Sequence, residues 1–136
     1  MELTLHITFL ETDDHEAALA FYRDTLGLEV RQDVATGYGR WVTVGAKDQP
    51  ELGIVLSSAG VGRSPEDAQT IKALLAKGSL SGVVFQTGDV DALFETVTAS
   101  GAEVVQEPMD QPYGVRDCAF RDPSGNQVRF HQTLKG

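Results

Sequence analysis

Trp41 is the single tryptophan of a 136-residue chain, and its neighbours decide where its ring can go. Along Arg40-Trp41-Val42-Thr43-Val44 the valines fall on one side of an extended strand, and Trp41 and Thr43 on the other. With the valines packed on a helix, Trp41 and Thr43 line the opposite face, where an indole stacks on planar aromatic molecules. Tyr38 and Tyr113 stand in glycine-containing turns at strand ends, placed to flank such a molecule. His6 offers a ring nitrogen for a hydrogen bond, and Arg116 a guanidinium suited to a carboxylate or to a neighbouring acid. This is binding chemistry. The sequence contains no Ser-His-Asp order, nucleotide loop or dinucleotide fingerprint, and Gly60-Val61-Gly62 is only a weak echo of a phosphate loop. Cys118 has no neighbour in sequence that would lower its pKa, so it reads as a packed thiol. His15 reads as solvated and Phe85 as core.

Composition excludes whole classes of partner. Eleven Lys+Arg against 20 Asp+Glu give a net charge of −9, which repels nucleic-acid phosphates and anionic membranes. The basic residues are scattered singly, so no local patch offsets this. A chain of this length buries roughly two-thirds of its unfolded surface. One cysteine excludes an internal disulfide framework and a multi-cysteine zinc site. No apolar run approaches the roughly 18 residues of a membrane span. The start MELTLHITFL lacks a basic leader region. The expected location is the cytoplasm.

These residues must be positioned by regular elements, and the pattern supplies them twice. Leu3 to Phe9 alternates as a strand, with Leu3, Leu5, Ile7 and Phe9 on one face and Thr4, His6 and Thr8 on the other. Asp13 or Asp14 caps a helix that ends at Gly27. Strands follow over 28–34, 40–44 and 52–57. A connector over 58–81 holds a helix that starts at Ser64-Pro65-Glu66-Asp67 and ends at Gly78. The order then repeats: a strand over 83–87, a helix from Asp89 to Ser100, and strands over 102–106, 115–121 and 126–133. Gly27-Leu28-Glu29-Val30 and Gly101-Ala102-Glu103-Val104 occupy the same junction in each half, which points to duplication. The expected fold is α+β. Two βαβββ modules, 1–57 and 82–136, form one domain whose curved mixed sheets enclose a cleft, with helices outside.

Two stretches carry a resemblance. Leu19-Ala20-Phe21-Tyr22-Arg23-Asp24-Thr25-Leu26-Gly27-Leu28-Glu29-Val30 and Phe120-Arg121-Asp122-Pro123-Ser124-Gly125-Asn126 resemble signatures of the vicinal-oxygen-chelate superfamily, the glyoxalase/bleomycin-resistance/dioxygenase proteins. The resemblance covers nearly the whole chain. Its metalloenzymes draw one ligand from each of four strands to hold a divalent ion against two oxygens of the substrate. Carried over, those positions fall on Val55, Gly82, Arg129, and either Ile7 or His6, depending on one residue of register. Alternation favours His6. His131 shares the face of Arg129 and is the other weak metal candidate. The set implies no metal; a guanidinium at position 129 repels a cation and suits a carboxylate, phenolate or quinone oxygen. Among the family's activities this implies a cofactor-free protein that sequesters a bulky aromatic natural product or antibiotic. The alternative is a lyase, isomerase or ring-cleaving dioxygenase acting on a small oxygenated substrate, with a divalent metal where the chemistry needs one. Relatives of this kind pair, some by exchanging halves, so the resemblance also implies a homodimer.

Overall fold

The computed structural model describes residues 1–135; Gly136, at the end of the expected second module, lies outside the described residues. The first module comprises β1 (Ile7–Thr12), α1 (His15–Leu19), β2 (Glu29–Thr36), β3 (Gly39–Gly45) and β4 (Gly53–Ser58). α2 (Pro65–Ala76) connects to β5 (Val83–Gln86), α3 (Val90–Ala99), β6 (Glu103–Asp110), β7 (Val115–Arg121) and β8 (Gln127–Thr133). The sheets run β1-β4-β3-β2 and β5-β8-β7-β6. In each, the first strand lies parallel to the last and the remaining pairs are antiparallel. The expected α+β duplication is therefore present, down to an irregularity. The register slips between Val30 and Gln32 in β2, and again between Val104 and Gln106 in β6. A bulge of this kind is retained as a unit, and its repetition at matching places marks the halves as copies.

Local chemistry fixes the helix starts. Asp14, Ser64 and Asp89 each cap a helix, their side chains accepting from the N–H three residues on. α1 widens after Leu19 into a π-helical turn over Ala20–Thr25. There Leu26 N donates to Phe21 O, five residues back, at 3.0 Å. Consecutive rings of Phe21 and Tyr22 both point inward and meet edge to face at 4.9 Å.

One apolar core joins the modules. It takes Leu10, Val42, Val44, Ile54 and Leu56 from the first sheet, and Cys118, Phe120, Val128 and Phe130 from the second. α1, the π-turn and α3 fill it with Leu19, Phe21, Tyr22, Val90 and Val97. Each such side chain contributes roughly 1.5–3 kcal/mol when fully buried. Phe85 belongs to this side, stacked on Phe130 at 5.7 Å.

A buried polar clasp fixes how the modules meet. Asp122, opening the β7–β8 turn, accepts from the backbone N–H of Ser124, Gly125 and Asn126 on Oδ1 at 3.0, 2.9 and 2.9 Å. Its Oδ2 accepts from Tyr22 Oη at 2.6 Å and Asn126 Nδ2 at 2.9 Å. Asn126 Nδ2 also donates to the Glu11 carbonyl at 2.7 Å, and Ser124 Oγ donates to Asp13 Oδ1 at 2.8 Å. The turn admits only glycine at position 125: φ is +121°, and a Cβ would stand 1.9 Å from the Leu75 carbonyl of α2.

β1 differs from expectation. The strand begins at Ile7, four residues later than Leu3, and its phase is inverted. Leu10 and Thr12 are buried, whereas Phe9 is 53% exposed. The helix side is thus Thr8-Leu10-Thr12, and Ile7, Phe9 and Glu11 take the other face. Hydrophobicity alone puts the more apolar set against the core, whereas the structure puts it on the opposite face.

Tyr22→Phe removes one hydrogen bond from the clasp while preserving the packing, and should cost roughly 1–2 kcal/mol. Asp122→Ala strands several buried donors at once and should exceed about 3 kcal/mol. Urea unfolding with unchanged slope measures both; equal, small losses would mean that apolar packing alone joins the modules.

Candidate functional site

The helix-facing sides of both sheets converge on one core, so their other faces look outward from it. On the first sheet, Trp41 and Thr43 lie opposite the fully buried Val42 and Val44, as alternation requires. Phe9 meets Trp41 edge to face at 5.6 Å. A cavity of about 410 Å³ opens here, walled by Ile7, Trp41, Thr43 and Val55 and by the β3–β4 loop at Pro50 and Glu51. Arg31 holds that loop through three carbonyls, donating to Leu52 at 2.6 Å, Ala46 at 2.7 Å and Gln49 at 3.0 Å.

The open face of the second sheet carries opposite chemistry on matching positions. Thr43 pairs with Val55 and Ala119 with Arg129; Trp41 pairs with Ser57 and Asp117 with His131. Arg129 thus replaces Val55, and Asp117 replaces Trp41. Asp117 has no exposed side-chain surface. Its Oδ1 accepts from Gln106 Nε2 at 2.7 Å and Gln111 Nε2 at 2.9 Å. Its Oδ2 accepts from Arg129 Nη1 at 3.1 Å. Burial by itself pushes the Asp117 carboxyl up, but the amides of Gln111 and Gln106 and the Arg129 charge outweigh it and hold it below the usual range.

This arrangement has donors to spare. Arg129 Nη1 is committed to Gln106 Oε1 at 2.8 Å and to Asp117. Among the described residues no acceptor meets its Nε or Nη2, and the side chain is 26% exposed. His131 Nε2 is buried without a hydrogen-bond partner, 3.5 Å from Asp117 Oδ2. The carboxylate is nearly saturated, so the face takes an incoming acceptor, such as a carbonyl, phenolate or carboxylate oxygen.

The remaining expected site residues are scattered. His6 precedes β1, is exposed, and its Nδ1 lies 3.2 Å from the Glu51 carbonyl. It borders the first-sheet cavity beside Ile7, and the strand register puts Ile7 on the same open face as Phe9. Arg116 shares the helix side of β7 with Cys118 and Phe120. It is held by Asp91 at 3.0 and 3.1 Å and Asp110 at 3.1 Å, on the face opposite Arg129. Tyr38 and Tyr113 are 81% and 65% exposed in their turns. His15 is more than solvated surface, since Nε2 lies 2.9 Å from the Leu56 carbonyl. Cys118 is buried, and burial together with the Asp117 charge pushes its thiol up to about 11. Phe9, Asp117, Gln106 and Gln111 escaped the reading of the sequence. Asp117 carried a usable signal: an acid inside the run Val-Arg-Asp-Cys-Ala-Phe of a central strand needs buried partners.

The metal-ligand positions do not fit a divalent ion. Ile7 and Val55 supply hydrocarbon, and Arg129 a cation. Gly82 allows close backbone approach: a Cβ there would stand 1.5 Å from the Gln127 carbonyl. Among the described residues no three His, Cys, Asp or Glu side chains gather as a metal would require.

The depressed Asp117 carboxyl makes a prediction about acid. A group whose folded pKa lies below its unfolded value stabilises above the unfolded value, about 4, and loses that contribution as pH falls through the folded one. Urea midpoints of the wild type should therefore drop between pH 5 and pH 3, and Asp117→Asn should flatten that part of the profile. An unchanged slope would show that Asp117 carries no such linkage.

Comparison with known proteins agrees with this construction. Residues 4–130 match the Glyoxalase/Bleomycin resistance protein/Dioxygenase superfamily. The crystal structure of UcmS2 superimposes with a TM-score of 0.86 at 36% identity, over 96% of this chain and 98% of that one. TnmS3, an antibiotic binding protein from Streptomyces sp. CB03234, gives 0.76 at 29% identity, over 97% of both chains. The uncharacterized protein YurT of Bacillus subtilis (strain 168) is 26% identical over 127 residues, 93% of this chain and 96% of its own. Among the described residues no helix is long and apolar enough to cross a membrane. With its duplicated βαβββ modules, shared core and matching sequence, this chain belongs to the glyoxalase/bleomycin resistance protein/dioxygenase superfamily.

Proposed function

We propose that the protein is a metal-free, cytoplasmic binding protein that sequesters a bulky, oxygenated aromatic natural product or antibiotic. The observation that carries this reading is the divergence of the two equivalent open faces. One offers Phe9, Trp41 and hydrocarbon; the other offers the spare N–H donors of Arg129 above Asp117. A flat ring stacks on the first while its oxygen accepts from the second. TnmS3, an antibiotic-binding relative of similar length, supports the choice of ligand class. A buried lone thiol suits a reducing compartment.

The two faces look outward from a shared core, so the complete cleft is assembled by two copies, the first sheet of one facing the second sheet of the other. Exposed apolar side chains on both faces, Phe9 and Val34 on one and Val84 and Met109 on the other, support such a pairing.

A panel of planar aromatic antibiotics, an anthracycline and bleomycin among them, tests the reading through quenching of Trp41 and by calorimetry. Trp41→Ala should remove the roughly 0.5–1.5 kcal/mol of a ring pair in addition to buried area. Arg129→Lys keeps a cation beside Asp117 but loses the free fork; it should weaken binding roughly tenfold or more and leave the melting temperature nearly unchanged. Tight binding untouched by both substitutions, or conversion of the antibiotic detected by mass spectrometry, would overturn sequestration at this site.

The ligand-position residues make a separate prediction. Protein purified without chelator should hold well under one equivalent of zinc, nickel, iron or manganese, and chelator should not shift its melting temperature. A stoichiometric metal with a chelator-sensitive transition would favour an enzyme instead.

A further inference from the structure

Ile7, Trp41, Thr43 and Val55 wall the first-sheet cavity from strands, whereas Pro50 and Glu51 wall it from a loop. A strand wall is held by its ladder; a loop wall needs another tie. Residues 46–52 make two turns in succession, with Gln49 N donating to the Ala46 carbonyl at 3.0 Å and Leu52 N to the Gln49 carbonyl at 3.2 Å. Each turn advances three residues, and the carbonyls of Ala46, Gln49 and Leu52 converge on one guanidinium. Arg31 Nη2 serves the first two and Nη1 the third. None of the ion pairs among the described residues includes Arg31, so these carbonyl dipoles are the partners of its charge.

A bulge delivers this side chain. The register of β2 against β3 passes from Val30 to Gln32, and Arg31 is the residue left over; a bulge re-aims the side chain it carries. The second module keeps the bulge but not the arginine. There the register of β6 passes from Val104 to Gln106 and leaves Val105, an exposed valine. The matching β7–β8 turn needs no outside cation, because Asp122 gathers three N–H groups from within it. The duplicated hairpins are thus drawn together from opposite poles, amides around a carboxylate in one and carbonyls around a guanidinium in the other. Gly45, at the end of β3, makes the approach possible: a Cβ there would collide with Arg31 Nη1. Positions 31 and 45 are both committed to one contact.

We infer that Arg31 is a positioning residue of the binding site: it seats the 46–52 loop as the closing wall of the first-sheet cavity and so sets access to Trp41. The inference deepens the binding reading above and rests on it for the ligand's use of this cavity. Residues 47–51 are all exposed, so no buried side chain among them anchors the loop, and its hold is through backbone carbonyls. The tie from the other side is weaker, His6 Nδ1 at 3.2 Å from the Glu51 carbonyl on an exposed ring. Without the Arg31 fork the loop keeps its two turns but loses what fixes them against the sheet, and the indole is uncovered on that side.

Lys47 places a trypsin site on this loop and Trp41 a fluorophore behind it, so both can be read on the ligand-free protein. Arg31→Met keeps an unbranched stem and removes the donors. It should speed tryptic cleavage after Lys47 at least about tenfold, since cleavage follows the open population, with the 1–47 fragment identified by mass spectrometry. It should also raise the quenching of Trp41 by acrylamide. Tyr22→Phe, which loosens the clasp and not the loop, should do neither. Arg31→Lys, which keeps the charge without the fork, should show both changes to a smaller degree, and it carries the test if the methionine variant does not fold. Unchanged cleavage and quenching would show that the turns hold the loop by themselves. Equal rises in Tyr22→Phe would show general loosening, and faster cleavage without greater quenching would show a loop that does not screen the cavity; each of these overturns the inference. An antibiotic panel without a binder overturns the sequestration reading and leaves the seating of the loop by Arg31 standing.

Discussion

The carboxylate of Asp122 is the point on which the architecture turns. Two modules of similar size, each with its own sheet, can pack in several ways if only hydrocarbon joins them, since apolar contact is not directional. Asp122 removes that freedom. It organises its own turn through three backbone donors, then reaches across to Tyr22 on the first module's π-turn. Asn126 and Ser124 extend the same turn to the end of β1 and the start of α1. Every donor in this buried network has an acceptor, the condition under which buried polar groups specify a structure. The π-turn belongs to the same constraint, because it lets Phe21 and Tyr22 both face inward, one packing and the other bonding.

Duplication then provides two copies of one geometry, and substitution on the uncovered faces has made them unlike. The backbone retained even the bulge before Gln32 and Gln106. Side chains at matching positions went in opposite directions, to Trp41 and Val55 in one copy and Asp117 and Arg129 in the other. A buried carboxylate with three donors is costly to build without a purpose in packing. Here it holds the Arg129 guanidinium by Nη1 and leaves Nε and Nη2 without an acceptor among the described residues, with the side chain 26% exposed. The positive charge is carried by the chain itself and fixed in place by hydrogen bonds to Asp117 and Gln106.

Uneven edges complete the picture. Edge strands β2 and β6 are blunted by charge and bulge, while β5 carries neither. A protein of net charge −9 repels its own copies at long range, so any pairing of copies would rest on short-range, shape-specific contacts of the sort that bare edges and exposed valines offer.

Much of the fold was legible in the sequence because local physics writes it there. Asp14, Ser64 and Asp89 announce helix starts by capping, Gly27 and Gly101 end helices, and Val42 and Val44 set the orientation of Trp41 by simple alternation. The repeat GxEV at two junctions disclosed the duplication, and the signature around Asp122 its family. What alternation cannot supply is which of two faces meets the helix. Period two is symmetric, and in β1 the apolar set Ile7-Phe9 lies on the side away from the helix, against what its hydrophobicity suggests. Nor can spacing along one strand reveal partners on another. Arg116 and Arg129 look alike in sequence, yet one is tied to Asp91 and Asp110 beside a helix and the other to Asp117 and Gln106 on the open face. Composition, capping and period were determined by the sequence alone. Phase, pairing and the Asp117–Arg129 contact were decided only when distant strands were brought side by side, because those interactions act through space between residues that the chain keeps apart.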